Sequence, residues 1–171
     1  MPTLRNIEPD RDAAAVLTAF EAADNDLLRQ ASVIDSAETA RKYLETMVGL
    51  GWAIDASGTL IGIVAAASRS AQHKSAWMSY WLEPEARGRG IAARALSTAS
   101  DALFADGFHR LELGARINNP ASIKTAERAG YVHEGVNREE LEYDGVRFDT
   151  VRMARLATDP APTIAPLQIS R

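Results

Sequence analysis

The sequence predicts one α/β domain of the α+β kind, a mixed, mostly antiparallel sheet of about seven strands flanked by helices. Three observations predict it. Residues 52–68 and 131–156 each read as a hairpin, turning at Ser57-Gly58 and Asp144-Gly145. Between them, residues 77–96 read as a strand, a basic glycine-rich turn and the start of a helix. Apolar residues recur at helical spacing before, between and after these strands.

Taken in order, residues 3–7 form a short strand, and Pro9-Asp10 introduces a helix over 11–23. Ala15, Val16, Ala19, Phe20 and Ala23 give that helix a core face. Asp24-Asn25-Asp26 breaks it, and the connection to Ile34 suits a surface loop as well as an acceptor wall. Asp35-Ser-Ala-Glu38 has capping-box spacing and opens a helix to about Val48, which Gly49 and Gly51 end. In the first hairpin, Trp52 to Ala56 and Leu60 to Ser68 are the strands, the second almost wholly apolar and so buried. The next strand, residues 77–82, alternates Met78, Tyr80 and Leu82 with Trp77, Ser79 and Trp81. Bulk on both faces suits a central strand. Glu83-Pro84 stops it, Ile91 to Leu103 is helix, and Arg110 to Ala115 is a strand with Leu111, Leu113 and Ala115 on one face. Asn119 at the N-cap and Pro120 at N1 open a helix that ends at Ala129 before Gly130, with Ser122 at N3. Pro160, Pro162 and Pro166 predict a flexible tail, so the domain is residues 1–156 and the tail 157–171.

Composition excludes several chemistries. The 171 residues are 46% hydrophobic and 25% charged, ordinary for one globular domain, and a net charge of −4 argues against nucleic acid as a partner. With no cysteine there is no disulfide, thiolate metal site or cysteine nucleophile. His73, His109 and His133 are scattered, and no metal is expected. Nothing at the N-terminus resembles a signal peptide, and no apolar run reaches the roughly 18 residues of a membrane span. The expected compartment is the cytoplasm, with no membrane partner.

Residues 83–92 carry the chemistry. Gly88 and Gly90 let the backbone approach a ligand, and the following helix offers unpaired amides and the positive end of its dipole beside Arg87 and Arg89. That is an anion site, with Arg94 completing a local basic patch. Gly88-Arg-Gly90-Ile-Ala-Ala93 also fits the dinucleotide fingerprint, with Glu112 about 20 residues on. The context is wrong for it, since Glu83 to Arg87 separate the strand from the first glycine and some eighty residues come before.

Arg87-x-x-Gly90-x-Ala92, Asn119-Pro-Ala-Ser122, Gly130-Tyr131, Glu134-Gly135 and Asp149-Thr-Val151 together resemble the GNAT N-acetyltransferase superfamily, over roughly residues 52–156. More narrowly, they are similar to its branch of ribosomal-protein N-terminal acetyltransferases. Residues 1–51 match only in outline. The resemblance implies acetyl-coenzyme A as co-substrate, with pantetheine between the strands 80–82 and 110–115 of a splayed sheet. Arg87, Gly88, Arg89, Gly90, Ile91 and Ala92 would hold the pyrophosphate, Asn119 the pantetheine arm. Tyr80, Trp81 and Leu82 would present backbone N–H groups to the thioester carbonyl.

Ser122 would face the sulfur and donate to the departing thiolate, which a hydroxyl near a helix N-terminus can do without full proton transfer. Helix capping is its other role. Tyr131 is a second candidate acid, although a tyrosine after a helix-ending glycine also packs well in a core. For the base, Glu142 or Glu140 is the candidate, and a solvated strand face accounts for both as well. Leu141 stands where the resemblance would put a carboxylate, so a one-residue shift of register, or a water relay, is needed. The implied reaction is direct transfer in a ternary complex to a primary amine, a peptide or protein N-terminus being the specific expectation. Glu21, Asp24, Asp26, Glu139, Glu140 and Glu142 would form an acidic rim that attracts the amine. A larger acyl donor, a small-molecule amine, and a non-catalytic acyl-coenzyme A-binding regulator are the alternatives. Oligomeric state is open between monomer and homodimer.

Overall fold

A computed structural model describes residues 1–31 and 33–170; Ser32, in the connection before Ile34, and Arg171, at the end of the expected tail, lie outside them. The elements run β1 (Thr3–Asn6), α1 (Pro9–Glu21), α2 (Asn25–Leu28), α3 (Ala37–Met47), β2 (Gly51–Ala56), β3 (Thr59–Ser70), β4 (Ser75–Leu82), a 3-10 turn (Pro84–Ala86) and α4 (Ile91–Ala105). Then follow β5 (Arg110–Arg116), α5 (Pro120–Arg128), β6 (Val132–Tyr143), β7 (Val146–Leu156) and β8 (Gln168–Ile169).

Among the described residues, eight strands form one sheet in the order β6-β7-β5-β4-β3-β2-β1-β8, and only the β4–β5 and β1–β8 pairings are parallel. A dinucleotide fold needs successive parallel β-α-β units, so that reading of Gly88 to Ala93 fails on topology. Alternation along β3 and β4 divides the core. Val64, Ala66, Met78 and Leu82 pack under α4 and α5, whereas Ile63, Ala65 and Trp81 pack under α1 and α3.

The sheet is splayed at its centre. β4 and β5 pair only at Ser75, Ala76 and Trp77 against Arg110, Leu111 and Glu112; beyond these, β4 stays with β3 to Leu82 while β5 follows β7 to Arg116. The wedge between Met78–Leu82 and Leu113–Arg116 is where the site forms.

Three expectations are corrected. The capping box of α3 is Ser36 and Thr39 rather than Asp35 and Glu38: Thr39 N–H donates to Ser36 Oγ at 3.2 Å and Ser36 N–H to Thr39 Oγ1 at 3.0 Å. A short hydroxyl reaches the neighbouring amide more directly than a glutamate would. Gly49, at φ +73°, ends α3, and Gly51 instead opens β2. The stretch expected to be a free tail adds an eighth strand. Its Leu167 is buried with its N–H on Thr98 Oγ1 at 2.9 Å, and Arg94 donates to the carbonyls of Ala165 and Pro166 at 2.8 and 3.2 Å. An apolar Leu167 and an accessible β1 edge outweigh the prolines.

Candidate active site

A cleft of about 400 Å³ opens between the end of β4, the N-termini of α4 and α5, and α2. Its floor follows from strand alternation. Glu83 N–H bonds the Ile61 carbonyl at 2.9 Å, and Trp81 pairs with Ile63 two residues earlier, so Tyr80 and Leu82 turn their backbone groups to the open side. Arg87 Nε accordingly donates to the Leu82 carbonyl at 3.1 Å. Trp81 meets the cleft only along its backbone. Its indole packs edge-on against Phe20, with centroids 5.5 Å apart, and donates Nε1–H to Tyr43 Oη at 2.9 Å on the opposite face. It is therefore a core residue and not a side-chain ligand.

At one end lies the start of α4. Gly90 caps α4 in the left-handed region at φ 72°, and the first backbone bond of the helix is Arg94 N–H to Gly90 O at 3.2 Å. The amides of Ile91, Ala92 and Ala93 thus have no acceptor within the helix. A Cβ on Gly90 would come within 3.3 Å of Arg128 Nη2, so a guanidinium already lies over this loop. Arg128 and Lys124, one turn apart on α5, line the cleft and were not singled out from sequence. Their i, i+4 spacing was the available signal.

The expected arginines behave differently from one another. Arg87 lines the cleft, but its guanidinium also pairs with Asp24, the N-cap of α2. That hydrogen bond holds the Asp24 carboxyl below the ordinary range, against a smaller opposing effect of burial. Arg89 is exposed and not among the lining residues, and Arg94 is committed to the C-terminal segment.

At the other end, Asn119 Oδ1 accepts Ser122 N–H at 3.0 Å and so caps α5. Capping falls to Asn119. The Ser122 hydroxyl instead lies 3.0 Å from Tyr80 Oη, which is also 3.0 Å from the Ser122 carbonyl oxygen. Burial pushes the Tyr80 phenol up to about 12, with the Ser122 hydrogen bond opposing.

Tyr131 is excluded. It is buried under α4 with its hydroxyl 2.8 Å from Ser100 Oγ, and desolvation raises its pKa well above the ordinary tyrosine value. Neither glutamate reaches the cleft. β6 carries a bulge in which Asn137 pairs with Thr150 and Leu141 with Phe148, leaving Arg138, Glu139 and Glu140 opposite Asp149. The bulge spends its slack outward: Glu140 pairs with Arg152 at 3.3 Å, and Glu142 pairs with Arg147 and lines a separate shallow depression with Asn25, Arg29 and Tyr143. Among the described residues, Asp26 is the one carboxylate lining the cleft, and it is held by Arg116. The expected acidic rim is thus largely neutralised, since Asp24, Asp26, Glu140 and Glu142 each face an arginine.

Among the described residues, no group of three or more His, Asp or Glu side chains could hold a metal ion, and no helix is long and apolar enough to cross a membrane.

Known proteins share this fold. The chain is 32% identical to the spermidine N(1)-acetyltransferase of Vibrio cholerae over 58% of each protein, and 28% identical to the ribosomal-protein-serine acetyltransferase of Escherichia coli over 70% of this chain and 71% of that one. The probable N-acetyltransferase YjcK of Bacillus subtilis matches at 31% over half of this chain and 48% of its own length, so the spermidine enzyme and YjcK are each matched over about half their length. The fold superposes on the ribosomal-protein-S5-alanine acetyltransferase of Vibrio fischeri with a TM-score of 0.81, at 22% identity, covering 94% of this chain and 96% of that one. The microcin C7 self-immunity acetyltransferase MccE, solved with acetyl-CoA and AMP, gives 0.81 at 19% identity, covering 91% and 92%. Residues 3–132 match the acetyltransferase (GNAT) domain family, and with the splayed sheet and the glycine-capped helix at its cleft, the chain belongs to that family.

Proposed function

We propose that the protein transfers an acetyl group from acetyl-coenzyme A to a primary amine, the acceptor being the N-terminus of a peptide or protein. The observation that carries this reading is that one cleft holds both the free amides of α4, beside Arg128 and Lys124, and the Ser122 hydroxyl. The amides and cations suit the donor's phosphates. Gly90 keeps the approach to them open. The wedge between β4 and β5 gives the pantetheine a path, and the backbone N–H groups of Tyr80 and Leu82 are available to the thioester carbonyl. Attack of the amine forms the new C–N bond; the C–S bond then breaks, its electron pair stays on sulfur, and Ser122 donates a hydrogen bond there.

The state of the cleft's carboxylate supports this acceptor: among the described residues Asp26 is the one that lines the cleft, and it is bound by Arg116. An α-amino group, with a reference pKa near 8 against about 10.4 for lysine, needs the least help to become nucleophilic, and its proton can leave through water. The ribosomal-protein-serine acetyltransferase among the relatives supports the same choice. A second reading, a polyamine acceptor, is favoured by the spermidine acetyltransferase relative. Steady-state thiol release decides between them, with spermidine and short peptides of free or blocked N-terminus as acceptors. Activity confined to free N-termini is expected; activity that survives blocking, or that appears only with spermidine, overturns the peptide assignment.

A further inference from the structure

We infer that Tyr80 is the positioning residue for Ser122, holding its oxygen so that the serine hydrogen is directed into the cleft. This rests on the reading of Ser122 as donor to the departing sulfur. Tyr80 stands on the part of β4 that has parted from β5, and its ring crosses to the first turn of α5. The hydroxyl lies equally close, at 3.0 Å, to Ser122 Oγ and to the Ser122 carbonyl oxygen.

A phenol has one hydrogen, and that limits the arrangements to two. When Tyr80 donates to the carbonyl, the Ser122 hydroxyl donates back to Tyr80 Oη and its hydrogen points away from the cleft. When Tyr80 donates to Ser122 Oγ, the serine hydrogen is released towards the cleft. Negative charge growing on sulfur selects the second arrangement, because hydrogen bonds in a chain strengthen one another. Neither residue gives up its proton in this account: the C–S electron pair stays on sulfur, the amine proton goes to solvent, and Tyr80 and Ser122 only share hydrogens. The half-buried phenol, with its pKa pushed up to about 12 by desolvation, keeps its hydrogen across the neutral range. Asn119, by taking the Ser122 N–H, leaves the serine side chain free for this use.

The test is a double-mutant cycle on the full chain, with Tyr80→Phe, Ser122→Ala and the pair, followed by thiol release from acetyl-coenzyme A. Tyr80→Phe keeps the ring that packs in the core. It should lower kcat about tenfold with the KM for the donor unchanged, and the double variant should be no slower than Ser122→Ala alone. Losses that multiply in the double variant, or an unchanged kcat in Tyr80→Phe, overturn the role of Tyr80 while Ser122 stands. An unchanged kcat in Ser122→Ala sinks the Ser122 reading itself. Should Tyr80→Phe fail to fold, 3,5-difluorotyrosine at position 80 keeps ring and hydroxyl and lowers the phenol pKa. It should then shift the alkaline fall of kcat to lower pH in the otherwise native protein and not in Ser122→Ala; an unmoved profile overturns the inference.

Discussion

At Gly90 two requirements meet: the backbone must turn at positive φ to start α4, and the proposed donor site needs nothing between the helix amides and the donor's phosphates. Valine there fails both, since a β-branched residue is strained at φ 72° and its Cβ approaches Arg128 to 3.3 Å. Donor affinity in Gly90→Val should fall tenfold or more by calorimetric titration, whereas Gly88→Ala, with nothing within 4 Å of its Cβ, should pay only the positive-φ strain. Ser122→Ala removes a donor without uncapping α5, which Asn119 caps. Turnover should drop by about tenfold, on the order of 1.4 kcal/mol of barrier, at unchanged donor affinity. Tyr131, which is buried, and the half-buried Tyr43 and Tyr80 add a pH signature. Desolvation raises Tyr43, Tyr80 and Tyr131, the second to about 12, whereas the unfolded chain titrates tyrosine near 10. Below pH 10 both states hold these protons. Between about pH 10 and 12 only the folded state does, so stability fully present below pH 10 should fall as pH rises through this window. Denaturant midpoints measured alongside tyrosinate absorbance check it, and an unchanged midpoint to pH 12 contradicts it.

Among the elements, those with strong local chemistry were legible. The Asp144-Gly145 turn has both residues at positive φ, as a type I′ hairpin requires, and α5 starts and stops where Asn119, Pro120 and Gly130 say it should. α2 was not legible, because four residues give no periodicity. Its identity comes from long-range pairs, Asp24 with Arg87 and Asp26 with Arg116, which tie it across the cleft. Those pairs also explain why the acidic rim expected from composition is largely neutralised. The same tertiary logic places Arg5, a residue the sequence left unremarked. Its buried guanidinium donates to Asp12 at 2.7 and 2.9 Å and to Asp55 at 2.7 Å, fastening β1 to α1 and β2. Asp12 also accepts Glu8 N–H at 3.0 Å at the start of α1. Asp12→Ala leaves Arg5 buried with half its partners, and should destabilise the protein by roughly 3–5 kcal/mol in urea unfolding. A loss below about 1 kcal/mol would mean that the cluster is solvated instead.

For the molecule as a whole, the order of elements was legible and their final spacing was not. Alternation in Trp77 to Leu82 marked a central strand, yet only the pairing shows that β4 leaves β5 after Trp77 and opens the wedge. Site residues read from local motifs, Gly88, Gly90, Asn119 and Ser122, all line or shape the cleft, whereas Tyr131 and Glu142, which depended on tertiary direction, do not. Arg128 and Lys124 went unnoticed because two cations on a helix face are ordinary until that face meets the start of α4. The segment after β7 illustrates the same limit, since prolines read as a tail still deliver Leu167 to the core and β8 to the sheet edge. Acyl transfer from acyl-coenzyme A to an amine in this cleft, as proposed, is tested by thiol release on mixing acetyl-coenzyme A with a peptide of free N-terminus, run in parallel on the native chain and on folded Gly90→Val. Amine-dependent release by the native chain and a loss of at least tenfold in kcat/KM for the variant are expected; no amine-dependent release by the native chain, or equal release by both, would overturn the proposed transfer.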